Sequence, residues 1–402
     1  MTSHAVSASL GVSIVVASRF HAFELARELA QKGHLHRLVS MYPRHVLRRH
    51  GVPPERGIAL LSTLVAEQTL RRFGSGLSVN VAARVNAQFA ARAARKLAGT
   101  RIVHGWSGYS LESLRWARAH GVGCVVERSS SHILTQTEIL ERECDLLGVP
   151  FSRPDQRWLD REMEEYELAD RIAVPSLFAL RSFVAHGFPE SKLLYAPFGV
   201  NLESFSPGPK PDSVFRVVYA GALSLQKGVH YLIDAFGLAD LPHSELLLIG
   251  SPVPETPLLL AKADSRMRQL QHLPHSELVQ QYRSGSVFVM PSIQEGMAVV
   301  QAQALASGLP LVCTQNTGGE DLLRLSGECI AHHVGGIQEY AAGYVVPPRD
   351  AQAIARCLNW VAQDDAKLAE KRKEALATRS RALAWSDYAE RVIAGYRQIS
   401  ES

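Results

Sequence analysis

Cysteine is scarce in this 402-residue chain, and its five copies, Cys124, Cys144, Cys313, Cys329 and Cys357, form no Cys-x-x-Cys pair. That pattern argues against a disulfide framework and against a zinc site, and it suits a reducing compartment. No apolar run approaches the roughly 18 residues that a membrane-crossing helix needs. The opening MTSHAVSASLGVSIVVASRF has no basic leader, and its apolar run, Val12 to Ala17, is only strand-length. A cytoplasmic protein without a signal peptide is therefore expected. Charge of one sign is also lacking. Forty-three basic against 39 acidic residues leave +4, too little to argue for a nucleic-acid partner. No Gly-x-Gly-x-x-Gly follows the first strand, where Ser18-Arg19-Phe20-His21 stands instead, so a dinucleotide fingerprint is excluded there. No Asp-x-Asp pair lies in a loop suited to a metal-bound diphosphate, and no low-complexity segment or repeat appears.

What is present is an ordinary globular composition, 46% apolar and 20% charged, with enough length for two domains. The stretch Val287 to Cys313, VFVMPSIQEGMAVVQAQALASGLPLVC, organises it. Val287–Met290 reads as a buried strand, ended by Pro291-Ser292. Glu295-Gly296 opens a helical segment with apolar residues at Met297, Val300, Ala304 and Leu305. Gly308 and Pro310 stop that helix, and Leu311–Cys313 is the next strand. The turn thus lies at a strand's carboxyl end, where open α/β sheets bind ligands. Glu295 can accept bonds from two hydroxyl groups, Gly296 permits close approach, and the N–H groups of Gly296, Met297 and Ala298 offer an anion site. Gln303, eight residues on, stands about 12 Å along the helix and roughly 80° around it. The pair could touch both ends of one elongated ligand.

Elsewhere, alternating strands and helices give Gly11–Ala17 and Leu35–Ser40 as strands around an amphipathic helix. Arg44 to Arg101 is basic and largely helical, with Arg44, Arg48, Arg49, Arg71, Arg72, Arg92, Arg95, Lys96 and Arg101. This is either a solvated face or a surface that docks on anionic lipid head groups or grips a phosphorylated acceptor. His104 ends a short strand and enters the loop Gly105 to Tyr109, as a structural histidine or a ligand contact. Arg128-Ser129-Ser130-Ser131-His132 follows another strand, and its His132 either caps a helix or reads hydroxyl groups. The Pro/Gly/Ser-rich Ser204–Ser213 reads as an interdomain linker. Val174-Pro175-Ser176 and Met290-Pro291-Ser292 repeat one strand-Pro-Ser step in the two halves.

These residues carry a resemblance. Glu295, seven residues, Gln303 and Ala304 resemble the Glu-x7-Glu-Ala signature of glycosyltransferase family 4, a retaining family of the GT-B fold, with Gln in place of the second Glu. GALSLQKG, from Gly221 to Gly228, resembles the family's Gly-x-Leu-x-x-x-Lys-Gly, with Ala222 where Arg is usual. Leu273-Pro274-His275 resembles the border of the nucleotide base. Only the first member of the family's His-x-His is kept, as His104, with Trp106 in the other place.

The resemblance implies an α/β protein of two Rossmann-like domains facing across a cleft. An acceptor-side domain would span 1–205 and a nucleotide-sugar domain 206–377, with the last helix, about 378–402, packing back on the first. It implies transfer of a hexosyl group from a nucleoside-diphosphate sugar to an acceptor hydroxyl of a glycan, a lipid-linked or a small molecule. It implies no cofactor and no metal. Glu295, with His104 and His132, would be catalytic. Lys227, Gly296, Met297, Ala298 and Val299 would hold the diphosphate. Gln303, Leu273, Gly221 and Ser224 would meet the ribose and base. Peripheral contact with an anionic membrane on its inner face is a further expectation. A non-catalytic binding partner and a nucleotide-sugar epimerase on the same scaffold remain the rival readings.

Overall fold

The computed structural model describes residues 9–61, 79–381 and 383–401. Its strands fall into two sheets. The first contains β1 (Val12–Val16), β2 (Leu35–Ser40), β3 (Gly57–Ala59), β4 (Ile102–Trp106), β5 (Gly123–Glu127), β6 (Arg171–Val174) and β7 (Leu193–Tyr195). They lie in the order β3-β2-β1-β4-β5-β6-β7, every neighbouring pair parallel. The second contains β8 (Phe215–Ala220), β9 (Ser244–Ile249), β10 (Met267–Leu270), β11 (Val287–Met290), β12 (Leu311–Thr314), β13 (Ala331–His333), β14 (Ile337–Tyr340) and β15 (Gly343–Val346). Its order is β10-β9-β8-β11-β12-β15-β14-β13, parallel except for the two pairings made by β14.

The residues explain the sheets. β1, β4, β11 and β12 are buried at every position, as continuous apolar runs in a parallel sheet covered on both faces should be. In the parallel part of each sheet the strand order reverses once, between β1 and β4 and between β8 and β11. The loops after those four strands open at the reversal, where a crevice forms and ligands bind in doubly wound sheets. This is a pair of Rossmann-like domains in the GT-B arrangement.

The last helix, Trp385–Glu401, crosses back to the first domain. The Tyr396 hydroxyl meets the His104 ring 2.6 Å away, the Tyr388 hydroxyl donates to Glu127 at 3.0 Å, and Lys32 pairs with Glu390 at 2.5 Å. Residues 196–214 join the sheets without a strand or helix. Among the described residues, no helix is long and apolar enough to cross a membrane. Arg44, Arg48, Arg49, Arg95, Lys96 and Arg101 are exposed, whereas Arg71 and Arg72 lie outside the described residues.

The two domains are tied on both sides of the crevice. Glu143 of the first domain pairs with Arg349 of the second and accepts from the Tyr231 hydroxyl at 2.9 Å. Asp321 of the second accepts from the Leu177 N–H and the Tyr195 hydroxyl of the first, both at 2.7 Å. Burial pushes the Asp321 carboxyl up to about 6, against those two hydrogen bonds, which favour its ionised form. A carboxyl raised in the folded state binds its proton more tightly there than in the unfolded chain. Its contribution is therefore full at low pH and fades as pH rises through about 6. Asp321→Asn keeps both bonds and removes the titration. Its melting temperature relative to the natural chain should rise as pH goes from about 4 to about 7. A constant difference across that range would refute the assignment.

Candidate active site

Two loops of the second domain build one corner of the crevice. The loop after β8 runs from Gly221 to Gly228, and the loop after β11 from Pro291 to Ala298. The Ile293 N–H donates to the Gln226 carbonyl at 2.9 Å, which zips the loops together. Gly228 has φ +64°, and a Cβ there would sit 2.2 Å from the Pro291 carbonyl oxygen, so no other residue fits without moving a loop. This contact sets Lys227 beside Glu295, and the two form an ion pair with 24% and 13% of their side chains exposed. The expected meeting of lysine and carboxylate is therefore observed. Ser224 sits in the same turn, its hydroxyl 3.4 Å from the Lys227 N–H. Gly221 donates its N–H to the Ile249 carbonyl at 2.9 Å.

The anion site differs from expectation. The helix begins at Val299, not at Gly296, because the Glu295 and Ala298 N–H groups are drawn to the carbonyls of Asn316, at 2.8 Å, and Thr317, at 3.1 Å. Ala298 therefore has no amide to offer. The Gly296 and Met297 amides remain without an acceptor among the described residues, just ahead of the helix that starts at Val299. Gly296 also plays another part than the one expected. A Cβ on it would fall 2.0 Å from the Ser129 carbonyl oxygen of the first domain. The backbone it admits is the opposite lobe. Beside it, Gln294 donates to the hydroxyls of Ser130 at 2.7 Å and Ser131 at 3.0 Å. The Ser129–Ser131 segment thus serves as the first domain's half of a latch.

Gln303 is 8% exposed, and its Oε1 accepts from the Tyr282 hydroxyl at 3.4 Å. Eight residues from Glu295, it lies deeper beside the helix His275–Ser284. Leu273, just ahead of that helix, is partly buried against the core.

Neither histidine reaches the crevice. His104 is the third residue of β4 rather than its end, so its side chain points to the face that the last helix covers, and it is fully buried. Its ring nitrogens meet Tyr396 and, at 3.2 Å, Glu127. Burial lowers its pKa, opposed by Glu127. His132 is likewise fully buried. Its Nδ1 accepts from the Leu134 N–H at 3.3 Å as a helix cap, and its ring stacks on His186 with centroids 4.0 Å apart. Burial, with His186 and Arg128 nearby, pushes its pKa down to about 3. Both are structural, a correction to their expected catalytic place.

Sequence reasoning missed Glu127. It ends β5, opposite Trp106 in register, and takes His21 at 3.1 Å, His104 and the Tyr388 hydroxyl. Burial drives its carboxyl up, but His21 and His104 more than reverse this and hold it at about 2. The signal available was a lone acid at a strand end with a histidine after β1. Glu127, Trp106, Arg128, Glu295 and Gly296 line one interlobe cavity of about 480 Å³, within the usual range for small-molecule sites. A larger hollow of about 700 Å³ opens at the opposite, amino-terminal edge of the first sheet, among Arg101, Arg118 and Arg171, away from both reversal points.

A family model described as "Glycosyl transferases group 1" matches residues 214–364, the second sheet and its helices. That stretch is similar to the group 1 glycosyltransferases, and the chain as a whole has the GT-B fold. A curated relative, D-inositol 3-phosphate glycosyltransferase 1 of Catenulispora acidiphila, is 26% identical to this chain over 310 residues, 70% of each chain. The chain spans about half the length of other curated relatives it matches. Sucrose-phosphate synthase of Thermosynechococcus elongatus superposes with a TM-score of 0.72 at 18% identity, covering 97% of this chain and 99% of that one. HepE of Anabaena, solved in complex with UDP, superposes with a TM-score of 0.67 at 15% identity over 96% and 99%.

Gly296→Ala should keep the fold of this chain while forcing the lobes apart. Scattering should show a larger radius of gyration than the natural chain, and turnover should fall by about 10²-fold, as misplacement of a reacting group does. An unchanged radius with full turnover would show that the Ser129 contact is not made in solution.

Proposed function

We propose that the enzyme transfers a hexosyl group, with retention at the anomeric carbon, from a nucleoside-diphosphate sugar to an acceptor hydroxyl. The observation that carries this is the Lys227–Glu295 pair facing the open Gly296 and Met297 amides at the second domain's reversal point. When the donor binds, the Lys227 ammonium turns to the diphosphate and meets the charge that grows as the glycosidic bond breaks. The two amides and the end of the helix at Val299 add to it. Glu295 then accepts bonds from sugar hydroxyls and fixes the ring. Gln303 reaches the ribose, with Leu273, Gly221 and Ser224 around the nucleotide. The positive charge assigned to the diphosphate comes from the protein, so the reading includes no metal and no cofactor.

The UDP bound to HepE supports a nucleotide donor. The Catenulispora relative is named for an inositol phosphate, which makes a small polyhydroxyl acceptor one option beside a glycan or a lipid-linked sugar. The exposed arginines of the helix Arg44–Arg49 suit a peripheral approach to an anionic surface where such an acceptor is lipid-linked.

Lys227→Ala and Glu295→Ala should each lower kcat by about 10²–10³, measured below a melting curve that falls because each change leaves a covered charge unpaired. Wild-type rates would refute the assignment. Chelator should leave turnover unchanged, and loss of turnover restored by a divalent cation would remove the metal-free reading. Gln303→Glu should tighten nucleoside diphosphate binding by about tenfold, since a charged acceptor strengthens a ribose bond. Calorimetry showing no change would take Gln303 away from the ribose. Release of nucleoside diphosphate only when acceptor is present separates transfer from epimerisation and from passive binding, and the anomeric coupling of the product tests retention.

A further inference from the structure

The end of the interlobe cavity away from Lys227 is walled by aromatic rings of the first domain. Phe20 follows β1 with 44% of its surface exposed and φ +38°, a backbone conformation that residues with a side chain avoid and that clusters at ligand clamps. Its ring lies 5.9 Å from that of Tyr109, which lies 6.1 Å from that of Trp158. Trp106 lines the same space. It is 2% exposed, and its indole N–H has no acceptor among the described residues. A buried donor without a partner is costly unless a ligand supplies one.

The charges lining the cavity are all engaged. Arg128, its one lining cation, gives Nη1 to Glu162 at 2.7 Å and Ser107 at 3.1 Å, Nη2 to Gln136 at 2.5 Å and Nε to the Ser131 carbonyl at 2.9 Å. Glu295 is matched by Lys227, and Glu127 by His21 and His104. Among the described residues lining this end, no guanidinium or ammonium is left for a phosphate, and the Glu162 and Glu127 carboxylates would repel one.

Building on the transfer reaction proposed above, we infer that the acceptor group held here is an uncharged sugar ring and not a phosphorylated one. Its apolar C–H face packs on the Phe20 and Tyr109 rings, whose faces carry the negative end of the aromatic quadrupole. Its hydroxyls meet the Trp106 N–H and the polar edge at Ser107 and Gln136. The ring selects for hydroxyls and hydrocarbon, and the engaged arginine withholds the site from anions.

The test titrates the full chain, with and without saturating nucleoside diphosphate, against a panel of methyl hexosides and short oligosaccharides and against the 6-phosphates of the same hexoses. Saturation-transfer NMR reads contact of the sugar C–H groups with aromatic protons. A neutral sugar should saturate the site at least tenfold more tightly than its phosphate. Phe20→Ala should weaken that sugar at least fivefold, and Phe20→Tyr should restore it. Phe20 is exposed, so its loss spares the core. Tighter binding of the 6-phosphates, no contact with any neutral sugar, or indifference to Phe20→Ala would each overturn the inference. Calorimetry with nucleoside diphosphate reports separately on the donor corner. Its failure would sink the transfer reading, whereas the neutral-sugar arm without nucleotide still decides this one.

Discussion

The ion pair between Lys227 and Glu295 is the constraint on which the rest of the site depends. Both groups are largely covered, so each would be costly to leave alone. Nothing but a second charged or polyhydroxyl species could part them favourably. A diphosphate sugar supplies both partners at once, an anion for the ammonium and hydroxyls for the carboxylate. On the proposed reading, the unliganded pair is a self-neutralised form of the donor site. It can persist only because Gly228 lets the loop after β8 press on Pro291, and because both loops leave the second sheet at its point of reversal.

The same corner reads the position of the other lobe. Gly296 touches Ser129, and its neighbour Gln294 holds Ser130 and Ser131. Closure and donor geometry therefore share three consecutive residues. On the proposed reading, shutting the lobes would place the first domain's loops over the sugar and keep water from the activated donor. Behind those loops the structure is stiff. The last helix clamps Glu127 and His104 through two tyrosine hydroxyls. Glu165 accepts from the Ser110 N–H at 2.8 Å and also from Gly108, fixing the loop after β4.

Much of this was legible in the residues. The apolar run Val287–Met290, followed by Pro-Ser and a helix, placed a ligand turn at a strand end, by a local pattern that a parallel sheet imposes. Lys227 was placed near it only through the resemblance of GALSLQKG to the motif of glycosyltransferase family 4. The histidines were read wrongly for a tertiary reason. β4 runs two residues past His104, to Trp106, and strand alternation then turns the ring under a helix some 290 positions later in the chain. No window around His104 contains Tyr396. Gly296 was read correctly as a place of close approach, but the sequence does not state what approaches, and here it is another part of the chain. Ala298 lost its amide to Thr317, a bond between two loops that periodicity cannot see. Glu127 escaped notice because its partners, His21 and Tyr388, are brought to it only by the fold.

A crystal structure of the chain with a nucleoside diphosphate tests the central claim most directly. The account predicts the diphosphate within hydrogen-bond distance of the Gly296 and Met297 amides, with the Lys227 ammonium released from Glu295 and turned onto a phosphate oxygen. A nucleotide seated elsewhere, with Lys227 still closed on Glu295, would contradict it.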